Sequence, residues 1–131
     1  SANLERVDDA SFAKIGTGMS VSSGTFSFPR TGLYQVSMKT KYTVPNDNVG
    51  SQIYATINNS SYDVIADAIS SAGNSGGTIN DSFTSAFVNV TDISNVKVQF
   101  EIYSIAGSSS VSGSTTQNST FFSFIRLGDS Q

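Results

Sequence analysis

The 131-residue chain contains no cysteine, no histidine and no tryptophan, and it has only two prolines. Without cysteine there are no disulfides, thiolate metal sites or thiol nucleophiles, so stability must come from packing or from assembly. The acid, base and nucleophilic groups that are left are carboxylates, lysines and tyrosines. No recognisable spacing brings these groups together. We therefore expect a protein that is not an enzyme, with no catalytic residue and no cofactor.

Charge is also scarce, since charged residues make up 13% of the chain and the net charge is -3. No cluster of lysine and arginine is present to neutralise a phosphate backbone, so we expect no nucleic-acid partner. No window approaches the ~20 apolar residues of a membrane-spanning helix, and the N-terminus lacks a basic segment followed by an apolar run. We expect neither membrane association nor export by the usual route.

Alternation of apolar and polar residues with a period of two runs through the chain and predicts strands. The clearest case is the segment 96–103, VKVQFEIY, in which the apolar residues share one face. A second strand is predicted at 34–42. Shorter strands are predicted at 11–15, 25–28, 52–57 and 62–65, with clusters of Gly, Asn and Ser between them. The number of strands suits a jelly roll.

Two further predicted strands, at 83–90 and 120–127, are apolar on both faces. The two faces of the first strand carry Phe83 and Phe87 on one side and Ala86, Val88 and Val90 on the other. The two faces of the second carry Phe121, Ile125 and Leu127 on one side and Phe122 and Phe124 on the other. One row of each strand fills the core, and the other needs cover. Burying a Phe or Ile stabilises a protein by about 1.5–3 kcal/mol, which is large against a total stability of about 5–15 kcal/mol. We therefore expect a partner chain to cover the row that does not face the core.

The segment 24–34, GTFSFPRTGLY, resembles the signature G-x-F-x-x-P-x-x-G-x-Y of the C1q and tumour necrosis factor superfamily. The segment 83–102 and the sequence FFSFI at 121–125 are similar to the late strands and the closing strand of that family. Four short segments resemble the sequences of C1q-like virion proteins of marine tailed phages. They are LERVD at 4–8, KIGTG at 14–18, VTD at 90–92 and FIRLGD at 124–129. The resemblance to the superfamily covers about residues 3–127.

The resemblance implies an all-β, ten-stranded jelly-roll β-sandwich that occupies residues 1–131 as one domain and assembles as a homotrimer. It implies that aromatic residues from three strands meet at the trimer axis, and the aligned positions are Ser37, Phe83 and Phe121. Ser37 departs from the family, which usually has an aromatic residue there. The predicted trimer interface consists of Phe83, Phe87, Phe121, Ile125 and Ser37.

The resemblance also implies a non-enzymatic phage virion protein on the particle surface. We expect a capsid decoration (cement) protein or a head-fibre component, with capsid or fibre proteins as further partners. The short chain favours a complete small protein. The alternative is a receptor- or glycan-binding tip domain of a tail fibre, or of a secreted C1q-like protein, that binds a host-surface glycan or receptor.

The segment 107–118, rich in serine, threonine and glycine, is either a recognition loop or a flexible excursion. Its candidate recognition residues are Ser109, Ser112, Thr115 and Gln117. Oxygen ligands of the kind that calcium takes occur at Asp8, Asp9, Asp47 and Asp92, but without EF-hand spacing we assign no metal site. Five Asn-x-Ser/Thr sequences could accept glycans in a secreted eukaryotic protein, although coincidence explains them better: Asn58, Asn59, Asn80, Asn89 and Asn118.

Overall fold

The computed structural model describes residues 4, 6–7, 9–44, 48–71, 78–105 and 107–131. The strands in these ranges are β1 Ser20–Ser22, β2 Thr25–Ser27, β3 Gly32–Val44, β4 Asn48–Thr56, β5 Asp63–Ser71, β6 Thr78–Val90, β7 Lys97–Tyr103, β8 Ser110–Val111 and β9 Phe121–Gly128. Nine strands are thus found in the described part of the chain, against the ten that the resemblance implies. The described residues contain no helix that is long and apolar enough to cross a membrane.

The strands form two antiparallel sheets. One sheet has five strands in the order β1-β2-β7-β4-β5. In the second sheet, β3 lies at the centre and β6 pairs with it along its whole length, from Gly32 to Val44. β9 and β8 pair with successive parts of the other edge of β3. They therefore act as one long strand that is interrupted by the segment 112–120.

Most of the predicted strands are confirmed, and several are longer than predicted. The strand predicted at 11–15 is wrong, because the chain turns there. The Asp9 carboxylate accepts a hydrogen bond of 2.8 Å from the backbone N–H of Ser11, and the Asp9 carbonyl accepts one of 2.9 Å from the N–H of Phe12. Local side-chain bonds of this type compete with strand pairing.

The inward-pointing side chains of both sheets form the core. Its buried members are Phe28, Tyr34, Val36, Met38, Ile53, Val88, Val90, Val96 and Val98. Four phenylalanines pack against them, and the ring of Phe100 stacks on that of Phe122 with centroids 4.1 Å apart. Phe26 meets both Phe100 and Phe124 with centroids 5.3 Å apart. Aromatic packing therefore holds β2 and β7 of one sheet against β9 of the other.

The segment that carries the family resemblance forms two tight turns. Ser23 and Gly24 have φ angles of 48° and 80°, which is the two-residue turn that suits the twist of the β1-β2 hairpin. After β2, the Tyr34 hydroxyl donates a hydrogen bond of 2.8 Å back to the carbonyl of Arg30. A Cβ at Gly32 would lie 2.6 Å from the carbonyl oxygen of Gly128, so β3 and β9 approach closely only because glycine is present.

A cluster of hydroxyl groups is buried between the sheets at the end of the sandwich away from the phenylalanines. The Ser51 hydroxyl donates to Thr40 Oγ1 at 3.0 Å and lies 2.7 Å from the hydroxyl of Ser82. The Tyr42 hydroxyl bonds to both Ser51 and Ser82. Since each of the four hydroxyls has a partner, the polar groups are buried without being left unsatisfied.

Candidate functional site

The outer face of the second sheet brings together all five residues of the predicted trimer interface. Because Tyr34, Val36 and Met38 of β3 point into the core, the residues between them point outward. The strand register arranges the outward residues of β6, β3 and β9 in three rows, which are Phe87–Gln35–Ile125, Ser85–Ser37–Ser123 and Phe83–Lys39–Phe121. We call these nine residues the apolar face.

The apolar side chains of this face are largely exposed. Phe83, Phe87 and Ile125 expose 57%, 67% and 54% of their surface, and Phe121 is half-buried. Scattered exposed apolar residues are normal on a protein surface, but large side chains that cluster on one sheet face mark an interaction site. The described fold therefore leaves this cluster in water, as the sequence predicts.

A row of serines separates the two apolar rows. Ser37 lies at its centre and is only 6% exposed, because it sits on the central strand between bulkier neighbours. Ser37 was predicted to lie on this surface, whereas Gln35 and Lys39 on the same strand were not. The alternation of β3 would have found both, since they have the same parity as Ser37.

Lys39, which belongs to the apolar face, forms an ion pair with Asp81 at the border of that face. The distance between Lys39 Nζ and Asp81 Oδ2 is 3.0 Å. In the register of β3 and β6, Asp81 lies one outward position beyond Phe83. An exposed pair of this kind contributes about 0–1 kcal/mol to stability. If a partner covers the phenylalanines beside Lys39, this lysine is already paired with the counter-charge of Asp81.

An apolar groove continues from the apolar face around the edge of the sandwich. The groove has a volume of about 230 Å³, and Phe87 lines both it and the apolar face. Its other apolar walls include Ile57, Ile65 and Val96. Ile57 and Ile65 were not predicted to line this groove, because they meet Phe87 only where the end of β4 and the strand β5 pack beside β6.

Two hydrogen bonds hold the base of the candidate recognition loop, the segment 107–118. Ser112 donates its N–H to the Lys41 carbonyl at 2.8 Å, and its own carbonyl accepts a hydrogen bond of 2.7 Å from the Thr120 hydroxyl. Thr115 and Gln117 are exposed between these two points, whereas Ser109 and Ser112 are half-buried. The structure therefore presents only two of the four predicted recognition residues fully to solvent.

The acidic residues considered as calcium ligands have local structural roles where they are described. The Asp92 carboxylate accepts hydrogen bonds of 2.7 Å from the N–H of Ser94 and from the side-chain amide of Asn95. Hydrogen bonds from Ser11 lower the pKa of Asp9, and the backbone N–H of Ser94 lowers that of Asp92. Asp8 and Asp47 lie outside the described residues. Within the described ranges, no three acidic side chains lie close enough to hold a metal ion.

Three of the five asparagines in Asn-x-Ser/Thr sequences already use their side chains in hydrogen bonds. Asn58 Oδ1 accepts from the backbone N–H groups of Ser60 and Ser61 at 3.0 and 2.9 Å. Asn80 donates to the Ser71 carbonyl at 3.0 Å, and Asn89 donates to the Gln131 carbonyl at 2.7 Å. These contacts give the three side chains a structural role in turns and at strand ends.

Comparisons with known proteins support the fold. No family model matches this sequence, and no curated protein matches it. Among solved structures, Eiger TNF from S. frugiperda is similar to this chain with a TM-score of 0.68 and 14% sequence identity. The match covers 86% of this chain and 71% of the other. The chain therefore has a tumour necrosis factor-like jelly-roll fold.

Proposed function

We propose that this chain is a non-enzymatic structural protein that assembles as a homotrimer through the apolar face. The observation that carries the proposal is the clustering of Phe83, Phe87, Phe121 and Ile125 on one side of β6, β3 and β9. A TNF-like fold agrees with the trimer that the sequence resemblance implies. Three copies that turn this face toward a common axis remove the phenylalanines from water.

The proposed place of this trimer is the surface of a phage particle, as a capsid decoration or head-fibre protein. The support for this placement is that four short segments resemble the sequences of C1q-like virion proteins of marine tailed phages, at 4–8, 14–18, 90–92 and 124–129. In such an assembly the apolar face lies inside the trimer, so the outer face of the five-stranded sheet, which is polar on β2, β7 and β4, is left for water, capsid or host.

Purified particles test the placement directly. Mass spectrometry of the particles is expected to detect the chain, and cryo-electron microscopy is expected to show it as trimers with β6, β3 and β9 around the threefold axis. Absence of the chain from the particles of the phage that encodes it would refute the placement. The trimer has its own test, given at the end of the Discussion.

A second candidate function is recognition of a receptor or glycan by a domain at the tip of a fibre, or by a secreted C1q-like protein. The observation that favours it is the loop pinned between Ser112 and Thr120, which exposes Thr115 and Gln117. The gene separates the two candidates, because a fibrous stalk encoded before Ser1 favours the tip domain. Shortening the loop is expected to abolish specific glycan binding if this candidate is correct.

A further inference from the structure

The outer face of the five-stranded sheet, on the other side of the sandwich from the apolar face, has a shallow depression of about 340 Å³. Its lining residues are Tyr54, Tyr62, Gln99, Phe100 and Glu101. The volume lies at the lower end of the range for small-molecule sites. Two tyrosines, an amide and a carboxylate thus converge on one place in the sheet.

The polar groups around this depression are held in place by hydrogen bonds. The Tyr54 hydroxyl donates to Glu101 Oε2 at 2.6 Å and lies 2.9 Å from Gln52 Oε1. The Gln99 side-chain amide donates to the Thr25 hydroxyl at 2.8 Å. Because the side chains stand on neighbouring strands, the sheet fixes their spacing before any ligand arrives.

Tyr62 reaches the depression from the turn that follows β4. Asn58 fixes this turn, since its side-chain oxygen accepts hydrogen bonds from the backbone N–H groups of Ser60 and Ser61 at 3.0 and 2.9 Å. An asparagine side chain that bonds to the following backbone in this way stabilises a turn. The turn that leads to Tyr62 is therefore held by local hydrogen bonds.

Hydrogen-bonding capacity remains after these internal bonds are counted. A carboxylate has about four lone-pair sites, so Glu101 can accept further hydrogen bonds beside the one from Tyr54. The Gln99 side chain has a carbonyl oxygen and a second N–H in addition to the group that bonds Thr25. Acceptors and donors thus lie side by side next to aromatic rings.

We infer that this depression binds a neutral saccharide, with Tyr54 and Tyr62 packing against the C–H face of a sugar ring and Glu101 and Gln99 bonding to its hydroxyls. A sugar ring has an apolar face and a rim of hydroxyls that both donate and accept, which complements this pairing of groups. The site lies apart from the apolar face and from the loop at 107–118, so the inference goes beyond the proposed function.

The charges around the depression favour a neutral ligand over an acidic one. Glu101 lines the depression, and Asp67 lies on the adjoining strand in register with Gln52. Lys97 is the nearby cation, and its ammonium donates a hydrogen bond of 2.6 Å to the Ile93 carbonyl, so one positive charge stands against two negative ones. Two carboxylates repel a sialylated, sulfated or phosphorylated ligand, because like charges across an interface oppose binding.

Titration of isotope-labelled protein with methyl glycosides of glucose, galactose, mannose and N-acetylglucosamine, followed by amide NMR, tests the inference. At least one glycoside is expected to shift the amide signals of residues 52–54, 62 and 99–101, while sialic acid shifts none of them. Tyr62→Ala and Glu101→Gln are each expected to weaken binding by about tenfold or more. Tyr103→Phe, on the same sheet but outside the depression, is the matched control and is expected to bind as the original chain does.

Tyr54→Phe keeps the aromatic ring and removes only the hydroxyl, so it guards against a variant that fails to fold. It is expected to keep the amide spectrum of the fold and to weaken binding less than Tyr62→Ala. Failure of all four glycosides to shift these amides overturns the inference, as does a response confined to the loop at 113–119. Tighter binding of sialic acid than of the neutral sugars also overturns it. None of these outcomes changes the mass of the assembly, so the inference and the proposed function fail independently.

Discussion

The two outer faces of this sandwich have the same architecture and opposite chemistry. On β6 and β9 the outward positions carry phenylalanine and isoleucine in two rows around a row of serine, and between them β3 contributes Gln35, Ser37 and Lys39. On β2, β7 and β4 the outward positions carry threonine, glutamine, glutamate and tyrosine that bond to one another. Alternation creates both faces, and composition decides which one needs cover. The first face is suited to contact with another copy, and the second to water or a polar ligand.

The largest expected difference between the two faces is the effect on assembly of one negative charge placed on each. Phe83→Asp removes an apolar ring and adds a carboxylate beside Lys39, which Asp81 already pairs, so the face gains an excess negative charge. We expect this variant to abolish assembly, because burying an excess charge costs several kcal/mol. Ser27→Asp places the same charge on the outer face of β2, opposite Lys97, and is expected to leave assembly unchanged. Sedimentation velocity of both variants measures the difference. Loss of assembly in both, or in neither, contradicts the division between the faces.

Two neighbouring residues of β9 allow the outer face to be compared with the core. Phe121 points outward, whereas Phe122 packs on Phe100 in the core. Phe122→Ala is expected to lower the free energy of unfolding by about 3–5 kcal/mol at every protein concentration. Phe121→Ala is expected to act mainly through assembly, so its effect should shrink on dilution. Denaturant unfolding over a dilution series measures both, and a concentration-independent loss for Phe121→Ala argues against an interface role.

The buried hydroxyl cluster supplies a smaller expected effect. Ser51→Ala removes the group that bonds Tyr42, Thr40 and Ser82, and is expected to cost about 1–3 kcal/mol because buried polar groups lose partners. Ser27→Ala on the outer face of β2 is expected to change stability by no more than about 0.5 kcal/mol. Thermal or denaturant unfolding compares the two, and equal effects would show that the cluster contributes nothing beyond a surface serine.

The smallest expected effect concerns the titration of Tyr54. The hydrogen bond to Glu101, with burial and the Glu101 charge as further causes, raises the pKa of Tyr54 above its ordinary value of 10.0. Since folding favours the protonated phenol, this contribution to stability is present below pH 10.0 and is lost as the pH rises through the folded pKa. The tyrosinate absorbance of Tyr54 is expected to rise at a higher pH than that of free tyrosine, and Glu101→Gln is expected to move this rise back to lower pH. An unchanged titration in Glu101→Gln contradicts the assigned cause.

Alternation predicted the two faces of β6 and β9, and the family resemblance indicated which of these faces belongs to the predicted interface. Alternation placed Phe83 and Phe87 on one side of β6, and Phe121 and Ile125 on one side of β9, and the register of β3 brings these pairs onto one surface. The groove beside Ile57 could not be predicted, because it depends on which loops and edges meet in three dimensions. The wrong strand at 11–15 has a local cause, since a serine that bonds the preceding aspartate makes a turn in an otherwise alternating segment.

The polar outer face was harder to predict than the apolar one. Gln99 and Glu101 were recognised only as the solvent side of a strand, and nothing in the sequence joins them to Tyr54 or Tyr62. The contact between Tyr54 and Glu101 arises from the pairing of β4 with β7, in which Tyr54 lies opposite Gln99 and Gln52 lies opposite Glu101. Cross-strand pairing of this kind follows from register, which short alternating segments do not specify.

The mass of the chain in solution tests the central claim most directly. Light scattering of purified protein at micromolar concentration is expected to give three times the chain mass of 13.8 kDa, and Phe83→Asp is expected to give the chain mass itself. A single-chain mass for the original protein at that concentration would contradict the account, because the exposed phenylalanines of the apolar face would then lack the partner that their position requires.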